Sequence, residues 1–430
     1  MLKSIFTQLW NRKRSNVSIF IELTLVFCVV WYITDYLFVF AYNNSLPDYR
    51  DLRHTWQVNL AIFPSGHPEY QAEAGEPETL AANHHRILQT LHNYPGVEAV
   101  GISNRSSLPG SSGYWGATFC WPGDTANTVS GQRISISPLE DFFRVFGHTR
   151  NEGREAVSMA DYNWSDPRTI VISRSAARAL FPDGEAVGKE LKDTRSPDAR
   201  YVVGGVVDDT KRLSYLRPQH AWYLPMPMDD PNELYRAAIT VRSRATIPDS
   251  RFRSDFLEVM SKALRIGNFH LQSLIPCAKI GADTTRMFGQ SGDLNVRLAL
   301  FIFFLLNILL CAMGTFWYRV NQRRGEVGLR KAMGATHAGI SAAFFLEGLC
   351  LLALSAAVAM AIEFQFVYAG LIDTLGKYDD SIYLPDRIPL RFLITNGLTA
   401  CTLAAVILIA VWLPARRAAA LPPAEALRDE

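Results

Sequence analysis

Residues 298–318 read LALFIFFLLNILLCAMGTFWY and are followed at once by RVNQRRGEVGLRKAMGAT, residues 319–336. An uninterrupted apolar run of about twenty residues is long enough, at ~1.5 Å rise per residue, to cross a hydrocarbon core of roughly 30 Å as a helix. The abrupt change to five basic residues (Arg319, Arg323, Arg324, Arg330 and Lys331) against the single acid Glu326 marks where that helix leaves the apolar phase. Three more stretches have the same character: Val17 to Phe40, Ile340 to Tyr368 and Phe392 to Leu413. The mean hydropathy of +0.04 averages over this split, because about 250 residues of ordinary globular composition lie between the first and second runs.

Charge beside the runs gives an orientation, since Lys and Arg collect on the cytoplasmic side of short membrane loops. Lys3, Arg12, Lys13 and Arg14 precede the first span, and Arg416 and Arg417 follow the fourth. The loop between spans three and four instead carries Asp373, Asp379, Asp380 and Asp386. Both termini and residues 319–339 are therefore expected inside, with the large domain outside. The first run is longer than a secretion-signal core, and Val39-Phe40-Ala41 offers no small-x-small cleavage site, so it is read as an uncleaved anchor. Leu2, Ile5, Phe6, Leu9 and Trp10 recur at helical spacing, which predicts a short interfacial helix over residues 1–16. The expected order is then transmembrane helix 17–40, outer domain 41–296, helix 297–318, cytoplasmic segment 319–339, helix 340–368, outer loop 369–391, helix 392–413 and cytoplasmic tail 414–430.

The outer domain is expected to be α+β. Trp56 to Ile62 as strand, Glu78 to Asn93 as helix and Val97 to Ile102 as strand make one βαβ unit, with Pro95-Gly96 ending the helix. Tyr235 to Arg242, Asp249 to Leu264 and Phe269 to Leu274 make a second. Two such halves predict a ferredoxin-like sandwich, with residues from about 103 to 230 as an inserted lobe. That lobe contains a strand at Thr169 to Ile172, a helix at Ser173 to Leu180 with Ser173 as N-cap, and a strand at Tyr201 to Val207.

The chemistry-bearing patterns argue against catalysis. Gly184-Glu-Ala-Val-Gly188-Lys189 lacks both the spacing and the following Ser or Thr of a phosphate loop, and reads as a turn. The nine histidines, His84, His85 and His92 among them, form no metal motif and are read as surface residues. No G-x-S-x-G nucleophile elbow is present. Neither a catalytic, a cofactor-binding nor a metal set is expected, and a net charge of +2 with the basic residues beside the spans gives no basis for nucleic-acid binding. Four of the six cysteines, Cys28, Cys311, Cys350 and Cys401, fall in the spans; Cys120 and Cys277 lie outside, and a disulfide between them stays open. Glu22, Glu347 and Glu363 lie within apolar runs, where an ionised carboxylate facing lipid costs several kcal/mol on the order-of-magnitude scale, so they are expected to face protein or an interface.

The segment Glu326-Val-Gly-Leu-Arg-Lys-Ala-Met-Gly-Ala-Thr336 closely resembles the cytoplasmic signature of the MacB/FtsX family of ABC transporter permeases. The closing run Leu413 to Arg428 is similar to the family's tail, Pro95 to Val100 to a turn and strand of its outer domains, and Val171 to Val207 to its inserted lobe. The first span, with Glu22, Asp35 and the aromatic run from Trp31 to Tyr36, departs from the pattern. The resemblance implies an inner-membrane, multi-pass subunit that binds no cofactor itself, ATP and Mg²⁺ being held by a separate ABC ATPase. It implies a second permease copy, as homodimer or heterodimer, contact with membrane lipid, and a periplasmic adaptor or hydrolase as a further partner. Arg324, Glu326, Val327, Gly328, Leu329, Arg330, Lys331, Met333 and Gly334 would transmit the ATPase stroke to the outer domain by mechanotransmission, with Val327, Leu329 and Met333 packing on the partner. Glu347 coincides with a glutamate position of the family. The expected role is efflux or envelope substrate handling; the alternative is a regulatory scaffold that relays ATPase state to a periplasmic partner such as a cell-wall hydrolase. A membrane-anchored enzyme is the third and weakest reading.

Overall fold

A computed structural model describes residues 13–164, 166–182, 184–196, 198–228, 230–369, 371 and 388–420. Residues 1–12 of the interfacial helix expected over 1–16, the acidic loop with Asp373, Asp379, Asp380 and Asp386, and the tail beyond residue 420 lie outside the described residues, and residues 13–16 belong to the helix of span one. The chain divides into two units: Met1–Tyr42 with Ser291–Glu430, and Asn43–Gln290.

The first unit is helical. Its long helices are Lys13–Ser45 (span one), Gln290–Gln322 (span two), His337–Tyr368 (span three) and Ile388–Ala420 (span four). All four are long and apolar enough to cross a membrane. Spans one, two and four extend past their apolar runs by a turn or more, span four through Pro414, whereas span three starts at His337 and stops with its run at Tyr368. A short helix, Arg324–Ala332, joins spans two and three. Leu23, Phe27, Val30, Phe316, Leu351, Leu352, Ile407 and Val411 form the shared core. Polar side chains stitch it as well: Trp31 Nε1 donates to Thr395 Oγ1 at 3.0 Å, and Ser355 Oγ donates to the Phe20 carbonyl at 3.2 Å.

The second unit is built on one twisted sheet. Its strands are β1 (Thr55–Ile62), β2 (Val97–Asn104), β3 (Gly116–Trp121), β4 (Asp124–Ile136), β7 (Thr169–Ser173), β8 (Glu190–Asp193), β9 (Arg200–Val207), β10 (Ala221–Pro225), β11 (Ala237–Ser243) and β12 (Phe269–Pro276), with β5 (Thr149–Arg150) and β6 (Glu155–Ala156) as a separate ribbon. The order β12–β1–β11–β2 is antiparallel throughout and is the ferredoxin-like arrangement expected from two βαβ halves. Helices Pro77–His92 and Asp249–Ala263 supply the crossovers. The first buries Leu80, Asn83, His84, Ile87, Leu88 and Leu91, a helical period, against Phe252, Phe256 and Val100.

The segment at 103–230 is an inserted lobe, as expected: its strands run β10–β7–β9–β8–β3–β4, and the β10–β4 pairing closes them into a ring that meets the core sheet through the Ser103–Ile136 pair of β2 and β4. Two features differ from the sequence reading. The strand expected from Tyr235 starts at Ala237, because Asp230 accepts a hydrogen bond from the Asn232 amide and Pro231 occupies the first helical position, which turns Pro231–Arg236 into a short helix. His84 is buried rather than exposed, one turn from Leu80 on the same inner face, and burial lowers its pKa to about 4. His148 is likewise buried, ringed by Phe142, Phe143 and Tyr223.

Other local expectations hold. Ser173 caps its helix by accepting from the Ala176 amide, and Gly184 and Gly188 take positive φ in a turn, with Lys189 over the Phe181 ring. Cys120 and Cys277 are both buried, Cys277 in the cluster around Phe142 and Phe143, and all six cysteines are free thiols.

Candidate coupling site

The residues singled out between spans two and three form a compact elbow. Span two runs without a break to Gln322, Arg323 stands at the start of the next helix, and Arg324–Ala332 follows. Helix 324–332 ends as a glycine-terminated helix should. Gly334 adopts φ +91°, its amide donates to the Lys331 carbonyl at 2.9 Å, and the Ala335 amide donates to the Arg330 carbonyl at 2.9 Å. This paired closure needs a left-handed residue, which Gly supplies without a Cβ clash. Thr336 then starts span three by accepting from the Gly339 amide at 3.1 Å.

Glu347 locks the elbow to span three. It is 6% exposed, and two arginines one turn apart on span two's exit converge on it. Arg319 Nη1 donates to Oε1 at 2.6 Å, Arg323 Nη1 to Oε2 at 2.7 Å and Arg323 Nη2 to Oε1 at 3.2 Å. Both carboxylate oxygens are thus engaged by guanidinium forks, the geometry that makes charge-assisted hydrogen bonds strong. Their mutual attraction offsets the desolvation of taking three charges out of water, which would otherwise be prohibitive. Next to it, a Cβ on Gly348 would meet Ile407 Cγ2 at 2.9 Å and Phe316 Cζ at 3.3 Å, so glycine here lets spans two and four approach span three. The tail is tied in through Arg417, stacked over the Trp317 ring at 4.4 Å.

The nine expected coupling residues divide by face. Val327 and Gly328 are buried, and Val327 packs in the core of the spanning helices with Phe344 and Val411. Val327 is therefore not a partner-facing residue, which corrects the sequence reading; a helix laid against its own bundle must commit one apolar position to it. Leu329 (54% exposed) and Met333 (72% exposed) remain on the outer face. Glu326 and Arg330, a turn apart, pair at 2.6 Å. Arg324 is exposed, and Lys331 is half-buried.

The other two span carboxylates differ. Glu22 is half-buried and lines a small cleft with Leu23, Ile308, Cys311, Thr315 and Phe316. Glu363, 2% exposed, lies near the opposite end of span three from Glu347. Sequence reasoning missed Arg319 and Arg323 as partners of Glu347, although their four-residue spacing at a helix exit was visible. It also missed the pairing of Asp35 with Arg391, whose Nε donates to Asp35 Oδ1 at 2.8 Å across spans one and four.

Comparison with known proteins agrees with this architecture. A model of the MacB-like periplasmic core domain matches residues 38–253, and a model of the FtsX-like permease C-terminal domain matches residues 298–423. Macrolide export ATP-binding/permease protein MacB 1 of Yersinia pestis is 24% identical over 315 residues, 70% of this chain and 44% of the relative. The Escherichia coli O157:H7 MacB is 24% identical over 310 residues, 71% of this chain and 43% of the relative. The chain thus spans less than half the length of the curated relatives it matches. Among solved structures, the periplasmic region of MacB from Actinobacillus actinomycetemcomitans is similar at 14% identity and a TM-score of 0.31, covering 54% of this chain and 92% of that one. The extracellular domain of a noncanonic ABC-type transporter YknZ from Gram-positive bacteria gives 14% identity and a TM-score of 0.30, covering 50% of this chain and 100% of that one. With its periplasmic core domain on a ferredoxin-like sheet and its FtsX-like spans around a basic elbow, this membrane protein belongs to the MacB/FtsX family of ABC transporter permeases.

Proposed function

We propose that this chain couples ATP hydrolysis in a separate ABC ATPase subunit to movement of its outer domain, for efflux or for handling an envelope substrate. The elbow lies on the cytoplasmic side in this reading, with both termini, and two permease copies, identical or different, stand over an ATPase pair. ATP and Mg²⁺ belong to that partner; this chain supplies the handle and the lever. A periplasmic adaptor or hydrolase would meet the moving domain.

The observation that carries the proposal is the clasp of Glu347 by Arg319 and Arg323. A push on helix 324–332 reaches span three through charge-assisted bonds rather than through a loose loop, and it reaches span two because Arg319 and Arg323 belong to that helix's exit. Coupling needs such a linkage between two sites, with each arrangement favoured by a different partner state. The exposed pair Leu329 and Met333 offers the ATPase an apolar hold flanked by cations.

The test is to replace Leu329→Asp and Met333→Asp together, on a face that packs against nothing within the chain's core. The ATPase is expected to stop co-purifying while the variant's thermal unfolding midpoint stays at that of the unaltered chain. An ATPase that remains bound and stimulated by the double variant would remove this reading.

A further inference from the structure

Span three carries a second buried carboxyl whose surroundings are the reverse of those of Glu347. Glu363 is 2% exposed, and neither Oε1 nor Oε2 has a hydrogen-bond partner among the described residues. Asn396 of span four and Cys28 of span one are its polar neighbours. The Asn396 amide nitrogen is committed to the Phe392 carbonyl at 3.0 Å, which leaves Asn396 Oδ1, also buried and also unpartnered, as the polar atom on that side. The titratable groups that act on the carboxyl are Cys28 and Asp35 of span one, and Asp35 is itself engaged by Arg391 of span four. A carboxylate here would put an acceptor-only group beside another acceptor, with the nearby cation spent on a different carboxylate. A carboxylic acid would instead supply the O–H donor that this pair of acceptors lacks.

We propose that Glu363 is a proton-binding site of the spanning bundle, an uncharged carboxyl whose proton is shared with Asn396 Oδ1. The site is coupled to Asp35, the second carboxyl of the seam, whose charge is answered by Arg391. A proton on Glu363 spares the seam a second negative charge, and the seam between spans one, three and four thereby gains a group with two states that differ by a proton. The inference does not rest on the ATPase reading and stands or falls separately from it.

The experiment uses the full chain in lipid nanodiscs at neutral pH, treated with dicyclohexylcarbodiimide and mapped by peptide mass spectrometry. The reagent adds the carboxyl O–H across a C=N bond, oxygen to carbon and proton to nitrogen, and the adduct rearranges to a stable N-acylurea with no leaving group. Only a protonated carboxyl within reach of the apolar phase reacts efficiently. Glu363 is expected to carry the adduct, a water-soluble carbodiimide is expected to leave it unmodified, and Asp35→Asn, which removes the neighbouring negative charge, is expected to reduce labelling severalfold. Infrared difference spectra should contain a protonated-carboxyl C=O band that Glu363→Gln removes. The proposal is overturned if Glu363 stays unlabelled, if the water-soluble reagent labels it equally, or if sodium ions protect it, since the last result would make it a cation site. Wild-type mapping decides the matter even if the Gln variant does not fold.

Discussion

Glu347 and Glu363 stand on one helix, both buried, and differ in everything that surrounds them. The first receives three hydrogen bonds from two guanidiniums; the second has no partner for either oxygen among the described residues. In a low-dielectric interior the unit of stability is the satisfied set and not the charge itself, so the same side chain is a rivet at one end and a strained or protonated group at the other. The contrast also separates two kinds of role: a fixed joint beside the coupling helix and a site able to change state in the seam of the bundle.

The largest effect should come from breaking the satisfied set. Glu347→Gln leaves two buried guanidiniums without a counter-charge, and breaking a buried pair in this way costs about 3–5 kcal/mol. Thermal unfolding of the reconstituted chain measures it. A loss below about 1 kcal/mol, the range of a surface pair, would show that the elbow is solvated and would end the comparison.

The outer domain provides a buried titratable group through which to sharpen it: His148, whose Nε2 meets the Tyr223 hydroxyl at 3.2 Å while Nδ1 has no partner among the described residues. Burial, aided by the Arg50 charge, lowers the His148 pKa to about 3. The unfolded chain takes up this proton near the ordinary histidine value of about 6.5, whereas the folded domain resists until about 3. The stability contribution is therefore complete above that upper value and is lost progressively as pH falls through the window, by on the order of 5 kcal/mol. His148→Phe should flatten the acid limb of an unfolding-versus-pH profile; an unchanged limb would assign acid sensitivity to other groups. Asp51, held at about 2 against its own desolvation by hydrogen bonds from Arg53 and the charge of Arg242, acts with the same sign at lower pH.

Gly334→Ala tests the joint through the backbone. At φ +91° a Cβ is strained whatever the space around it, and an expected loss of about 1–2 kcal/mol should appear mainly as fraying of helix 324–332 in hydrogen exchange. Protection that survives unchanged would show that the bundle, and not the glycine, ends that helix. The smallest effect is expected at the other end. Glu363→Leu removes a desolvated carboxyl at the loss of one neutral hydrogen bond, to Asn396, and should change the unfolding free energy by about 1 kcal/mol or less. A loss as large as that of Glu347→Gln would show that the two carboxyls are equivalent after all.

Much of this architecture was legible in the chain. Four runs too long and too apolar for anything but spanning helices, the basic residues beside them, and two βαβ patterns at the ends of the outer domain led to the observed elements within a few residues. The glycine that ends the coupling helix and the serine that caps the helix at Arg174 act through bonds only a few residues apart, so local sequence reports them. The strand order β12–β1–β11–β2 followed because the short crossover through each helix leaves few ways to return to the sheet.

What the sequence could not decide was which distant groups satisfy which. Glu347 reads like Glu363 in a hydropathy profile, and nothing local tells Val327, facing inward, from Leu329, facing out. His84 is buried because its helix turns that face to Phe269, and the inserted strands close into a ring because β10 returns to pair with β4. Periodicity and flanking charge act over one or two turns, and they determined the spans and the sheet. Hydrogen-bond satisfaction in a dry interior depends on groups brought together from different helices, so only tertiary packing made one glutamate a joint and left the other holding, in our reading, a proton.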